Sequence, residues 1–256
     1  MTRFIEANAS QLEAPLLNLL AFDTSTERMS IAVQRRGQAQ PWLYQSAGGA
    51  QTSTQLIPQI QALMGQAELR FGQLDAIVFG AGPGSFTGVR TACSVAQGLG
   101  FGAGVALLPV DTLLAVAEDA RDQLNASTGL VVTALLDARM AEMYANSYIL
   151  ESGVWLPDKG CSVIKPEHLA FSPPPGAALW VLAGNVFEAY GARLPSCPAQ
   201  RINAAPTAAA LLRLAPRLLA VGAALPAALA LPTYVRDKVA QTTLERAALK
   251  SDLLQP

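Results

Sequence analysis

The sequence predicts an α/β protein made of two halves of like fold, each a mixed sheet flanked by helices. Three observations carry this. Short apolar runs of β-forming residues alternate with longer apolar runs at helical spacing. An apolar strand, a terminal aspartate, a short turn and a returning strand occur at residues 17–33 and again at 131–150, with Asp23 and Asp137 lying 114 positions apart. One supersecondary unit repeated at half-chain distance reads as a duplication, although two aspartate-capped apolar runs also arise by coincidence. Finally, residues 75–90 read as strand, glycine loop and helix, with Gly80, Gly82, Gly84, Gly88 and Pro83 inside nine positions, too dense for any regular element.

The elements follow in order. Residues 1–16 form a polar extension. Residues 16–22 make a buried strand closed by the turn Asp23-Thr24-Ser25-Thr26, 29–34 the returning strand, and Gly37 marks a hairpin. From 52 to 66, Leu56, Ile60, Leu63 and Met64 fall on one helical face. The central strand at 76–79 leads through the glycine loop into a helix from Val89, which loosens from Gly98. A strand at 105–110, a helix at 111–124, a strand at 130–136 ending in Asp137 and a return strand at 143–150 come next. Thereafter the pattern weakens. Residues 173–176 are a proline loop, 179–182 a short strand, Gly184-Asn185 a turn into a helix, and 204–221 an alanine and leucine helix containing Pro216.

Composition bounds the function. A chain of 256 residues has room for two modest domains with real cores. Eighteen basic and nineteen acidic residues leave a net charge of −1, a weak footprint for gripping nucleic acid unaided. Cys93, Cys161 and Cys197 are odd in number and widely spaced, which fits a reducing cytoplasm and argues against a disulfide frame or zinc knuckle. Glu6 and Glu13 spoil the start as a signal peptide. The uncharged run 218–235 is a membrane-span candidate, but Pro226 and Pro232 interrupt it, and a buried helix and loop is the favoured reading.

The glycine loop fails the tests for three familiar chemistries. It has no Walker lysine, Ser85 stands where a dinucleotide fingerprint needs its third glycine, and Pro83 stands where a nucleophile elbow needs glycine. The sole histidine, His168, excludes a two-histidine metal site and suggests no triad, so a protease is not expected.

Duplicated halves with an aspartate at each first-strand end are the plan of the actin, sugar kinase and Hsp70 ATPases. On that plan Asp23 and Asp137 would hold a metal, with ATP clamped between the hairpin turns. Thr24, Ser25 and Thr26 suit a phosphate. The second turn, Ala138-Arg139-Met140-Ala141, lacks the glycines a phosphate requires, and Arg139 and Met140 are expected to fill the pocket rather than line it.

The words Gly82-Pro83-Gly84-Ser85-Phe86-Thr87-Gly88-Val89-Arg90 resemble the signature of the TsaB (YeaZ) family, the accessory subunit of bacterial tRNA threonylcarbamoyladenosine synthesis. Phe22-Asp23-Thr24-Ser25-Thr26 is similar to that family's opening turn. Asp137-Ala138-Arg139-Met140-Ala141-Glu142-Met143-Tyr144 is similar to its Asp-Ala-Arg-x-Gly-Glu-Val-Tyr stretch, and Pro232-x-Tyr234-Val235-Arg236 to its closing motif. Ala141 departs from the usual glycine, and Thr52 from a histidine found in many relatives.

The resemblance implies a duplicated actin-like (ASKHA, ribonuclease H-like) fold. The expected division is an extension at 1–16, a first domain at 17–112 and a second at 113–256, whose tail packs back on the first. It implies a scaffold without catalysis of its own, partnered by a TsaD-like catalytic subunit and a TsaE-like ATPase, homodimeric when alone, and touching tRNA only through the complex. Its partner interface would comprise Thr52, Leu56, Ile60, Leu63, Gly82, Gly84, Ser85, Phe86, Thr87, Gly88 and Arg90. Asp23, Thr24, Ser25, Thr26, Asp137 and Arg139 would be a vestigial nucleotide site, with no cofactor beyond ATP or ADP at the partner interface. The same apolar stripes would equally serve as intradomain core. The alternatives are an active ATP-dependent kinase or transferase using Asp23 and Asp137, and a homodimeric interaction module without a TsaD-like partner.

Overall fold

The computed structural model describes residues 17–49, 52–170 and 179–235. The polar extension, the proline loop at 173–176 and the segment from Arg236 onward lie outside them. The first half opens with the meander β1 (Leu19–Asp23), β2 (Arg28–Gln34) and β3 (Trp42–Ala47), then α1 (Thr52–Gln66), β4 (Ala76–Gly82), α2 (Phe86–Ala103) and β5 (Leu107–Asp111). Its sheet runs β3-β2-β1-β4-β5, antiparallel across the meander and parallel from β1 to β5.

After α3 (Thr112–Gln123) the plan repeats. A second meander, β6 (Leu130–Arg139), β7 (Glu142–Glu151) and β8 (Val154–Pro157), is followed by β9 (Ser162–Ile164), β10 (Leu179–Gly184), the single turn α4 (Phe187–Tyr190), β11 (Gln200–Asn203) and α5 (Ala208–Ala220). The order β11-β10-β6-β7-β8 reproduces the first sheet strand for strand, with β9 added beside β7. Asp23 and Asp137 occupy corresponding places near the ends of β1 and β6, each paired across to its return strand. The duplication is therefore a property of the fold.

Every residue of β1 and β4 is buried, because helices cover both faces of the first sheet. Leu20, Phe22, Ile77 and Phe79 meet α1 and α2 on one face, while Leu19, Ala21, Ala76 and Val78 meet α5 on the other. The two closing helices exchange sheets. The apolar face of α3 packs on β6 and β10 of the second sheet, and α5 packs on the first. Beyond α5 the chain stays with the first half: Leu225 bridges Leu107, and Ala227 and Ala230 enter its core.

Several expectations are corrected. α2 does not loosen at Gly98 but continues to Ala103, ending at Gly104 with φ 67°. Gly98 and Gly102 face open space, and Gly100 lets the helix approach Leu107 and Val105, so packing outweighs glycine's poor helix propensity. Local pattern does not mark the strands β3, β8, β9 and β11; they are short or lie at sheet edges, where pairing rather than pattern defines them. No helix among the described residues is long and apolar enough to cross a membrane. The 218–235 run instead finishes α5, turns, and forms a strap along α2.

Candidate functional site

The site is the cleft where the first hairpin turn, the glycine loop and the second hairpin turn converge. Asp23 closes β1 with its side chain 1% exposed as a residue. Its Oδ1 accepts the Ser25 amide at 2.9 Å and the Ser25 hydroxyl at 2.8 Å. Its Oδ2 is buried without a hydrogen-bond partner among the described residues. Burial pushes this carboxyl up to about 7, with the Ser25 bonds opposing the rise. Gly80 is required beside it, since a Cβ there would stand on the carboxylate oxygen.

The glycine loop closes onto the first turn. The Ser85 amide donates to the Ser25 carbonyl at 2.7 Å, and the Thr24 hydroxyl donates to the Gly88 carbonyl at 2.7 Å. A Cβ on Gly84 would come within 2.6 Å of Ser25, and one on Gly88 would stand on the Thr24 carbonyl oxygen. Ser85 caps α2 by accepting the Gly88 amide at 3.2 Å. The Ser85 and Gly88 amides of this loop are thus engaged within the chain. The glycines allow one backbone to lie against another, and they are not left open for a ligand.

The second turn is fastened in the same manner. Asp137 accepts the Arg139 amide and the Tyr190 hydroxyl, each at 2.8 Å, while its own amide donates to Asn185. Arg139, Met140 and Ala141 adopt left-handed backbone conformations with φ of 63°, 54° and 59°. Arg139 reaches across the cleft to Glu27, linking the two turns. Contrary to the expectation that Arg139 and Met140 would fill the pocket, both line it, and Met140 is 69% exposed. The remaining cleft is about 160 Å³, bordered by Gly84, Phe86, Arg139, Met140, Tyr144 and Tyr234.

These residues fit a nucleotide and its metal poorly. The hydroxyls of Thr24 and Ser25 are spent on Gly88 and Asp23, and Thr26 accepts the Arg28 amide. Among the described residues no cluster of three His, Cys, Asp or Glu side chains forms. Asp23 and Asp137 act as fasteners of their own turns.

The sequence-derived interface is brought together only in part. Thr52, Leu56, Ile60 and Leu63 are buried within the first half's core or under it, so their side chains present nothing to a partner. The stripe on α1 is the intradomain face. What α1 exposes instead includes Ile57, 42% exposed, and α2 exposes Phe86, Thr87, Arg90, Ser94, Gly98 and Phe101, the last 65% exposed. Gly82, Gly84 and Gly88 shape the loop from within. His168 lies exposed on a short 3-10 turn. Sequence reasoning missed Glu27 and Tyr190; no pattern marks a residue whose partner lies more than fifty positions away.

A sequence profile of the family described as "TsaD: tRNA N6-adenosine threonylcarbamoyltransferase" matches residues 49–215. The tRNA threonylcarbamoyladenosine biosynthesis protein TsaB of Escherichia coli K12 is 31% identical over 175 residues, covering 68% of this chain and 74% of that protein. Its counterpart from Haemophilus influenzae is 40% identical over 135 residues, and the match spans 55% of that protein's length. The solved structure of YeaZ from Pseudomonas aeruginosa superposes with a TM-score of 0.77 at 36% identity, over 86% of this chain and 100% of that one. Motif order, strand-for-strand duplication and these identities agree: the chain belongs to the TsaB (YeaZ) family of tRNA threonylcarbamoyladenosine biosynthesis proteins.

Proposed function

We propose that this chain serves tRNA threonylcarbamoylation as a non-catalytic subunit that docks a TsaD-like transferase. One observation carries the reading: the groups that would clamp phosphates in an active relative are bonded to each other, from Asp23 and Ser25 to Ser85 and Gly88. The docking face is the exposed side of α1 and α2, around Ile57, Thr87, Ser94 and Phe101, and the same face pairs two copies when the partner is missing. A helix surface with exposed apolar residues among small ones suits close helix packing. A TsaE-like ATPase joins the assembly in the cytoplasm, and tRNA is held by the complex, in keeping with a net charge of −1. No nucleotide is turned over by this chain alone.

Size-exclusion chromatography with light scattering, on the chain alone and mixed with the TsaD-like protein from the same cell, tests the reading. A homodimer converting to a one-to-one heterodimer is expected, and Phe101→Asp should block the conversion while leaving the chain folded. A homodimer indifferent to that protein would sink the proposal. ATP hydrolysis by the isolated chain, lost in Asp23→Asn, would favour the active-enzyme alternative instead.

A further inference from the structure

Two motifs far apart in the sequence, the glycine loop and the closing Pro232-Thr233-Tyr234-Val235, meet in the structure. The strap brings them together. Ala230 carbonyl oxygen accepts the Gln97 side-chain amide at 2.9 Å, so the strap is tied to the middle of α2. The Thr233 amide donates to the Ala81 carbonyl at 2.7 Å. The Thr233 carbonyl oxygen lies 2.6 Å from where a Cβ on Gly82 would stand, so it is the strap that requires glycine there, together with a φ of 113°. The Arg90 guanidinium then lies over the Phe86 ring, 3.5 Å from its centre, and its Nε donates to the Tyr234 hydroxyl at 2.8 Å. The Phe86 and Tyr234 rings are 5.4 Å apart.

Arg90 is the only charged residue on α2. Left to itself, a lysine or arginine on an exposed first turn samples many rotamers, and ordering it on binding costs affinity. Stacked on one ring and hydrogen-bonded to another, Arg90 is held in one pose before any partner arrives. Phe86, 44% exposed, and Tyr234, 48% exposed, remain on the surface beside it.

We propose that the strap is a working part of the docking face: Tyr234 is a positioning residue that fixes Phe86 and Arg90 in the pose the TsaD-like partner reads. This rests on the docking role proposed above and deepens it. The partner's face is set in continuity with α2, and it must meet a fixed cation framed by two aromatic rings. The C-terminal motif and the glycine motif therefore belong to one composite surface.

The test uses the full chain, with two readouts. Hydrogen–deuterium exchange of residues 86–90 is measured in wild type, Tyr234→Phe and Tyr234→Ala, and the affinity of each for the TsaD-like protein is measured by calorimetry. Tyr234→Ala is expected to speed exchange at the start of α2 and to weaken binding about thirtyfold, the lower bound of an interface hot spot. Tyr234→Phe, which keeps the ring and loses the hydroxyl, should weaken it a few-fold. Arg90→Lys, which keeps the charge and loses the planar fork, should do the same and gives a reading even if Tyr234→Ala fails to fold. If wild type binds and all three variants bind equally well with unchanged exchange, the strap has no positioning role. If wild type itself does not bind, the docking role falls and takes this proposal with it.

Discussion

Asp23 is a carboxylate that the fold buries with one oxygen left unpartnered among the described residues. In an unfolded chain its carboxyl titrates near the ordinary value of 3.8, and in the fold burial holds it at about 7. A raised carboxyl destabilises the fold when ionised, so the sign is fixed. Below pH 3.8 the group is protonated in both states and costs nothing; the cost grows as pH rises to about 7 and stays constant above. At about 1.4 kcal/mol per pH unit of displacement, the full cost is on the order of 4 kcal/mol. Urea unfolding from pH 4 to 8 should show wild type losing stability over this window, and Asp23→Asn should remove that part of the slope. A variant with an unchanged slope would mean the carboxyl finds a partner for Oδ2. Gly88 allows a sharper prediction. Its replacement by alanine puts a Cβ on the Thr24 carbonyl oxygen, a backbone group that cannot rotate away. Gly88→Ala should cost roughly 2–3 kcal/mol in chemical denaturation, as overpacked sites do.

At the scale of the element, α2 combines conflicting roles in eighteen residues. It begins at a serine cap, carries Arg90 toward the strap, and holds three glycines at alternate positions in its C-terminal half. Those glycines are not equivalent. Gly98 and Gly102 have nothing within 4 Å of a built Cβ, whereas Gly100 has the Val105 carbonyl oxygen at 3.0 Å and Leu107 at 2.8 Å. Gly98→Ala and Gly102→Ala should each stabilise the chain by about 0.5–1 kcal/mol in thermal or urea unfolding. Gly100→Ala should not. If Gly98 lies in the docking face, Gly98→Ala should also weaken partner binding while stabilising the free chain, a pairing of signs that a purely structural glycine would not give.

For the whole molecule, the organising feature is the exchange of α3 and α5 between the sheets. Each closing helix packs across onto the sheet of the other half, and the two helices touch. Their contact is built around Glu118, 4% exposed. Its carboxylate takes two bonds from Arg121, at 2.7 and 2.9 Å, one from Arg213 on α5 at 3.0 Å, and one from Trp155 on β8 at 2.9 Å. Asp119 beside it accepts the Thr207 hydroxyl and the Ala205 amide, holding the start of α5. Removing the carboxylate alone would leave Arg121 with only the Ala126 carbonyl, Arg213 with only Asp122, and the Trp155 indole N–H without its acceptor. Glu118→Ala should therefore destabilise the chain by about 3–5 kcal/mol, measured by urea unfolding at neutral pH. A cost below about 1 kcal/mol would show that the bonds that remain, Arg213 to Asp122 and Arg121 to the Ala126 carbonyl, suffice to hold the two helices.

Much of this was written in local sequence. The spacing of Leu56, Ile60, Leu63 and Met64 defines α1 to both of its observed ends, and the two aspartate-closed strands 114 positions apart announce the duplication. Local pattern suffices there because helical and strand periods record which side of an element is buried. They do not record what buries it. The α1 stripe that suited a partner interface proved to face its own sheet, and the glycines expected at that interface proved to admit Ser25, Thr24 and Thr233. The Arg139–Glu27 link, the exchange of α3 and α5, and the meeting of Tyr234 with Arg90 join residues from 95 to 144 positions apart, through Arg213–Glu118 at the shorter end. Such contacts are chosen by how whole sheets and helices stack, a matter of shape and connection. The sequence by itself determined the elements, their order and their repetition; only the tertiary structure decided which surfaces were consumed in holding them together and which were left for a partner.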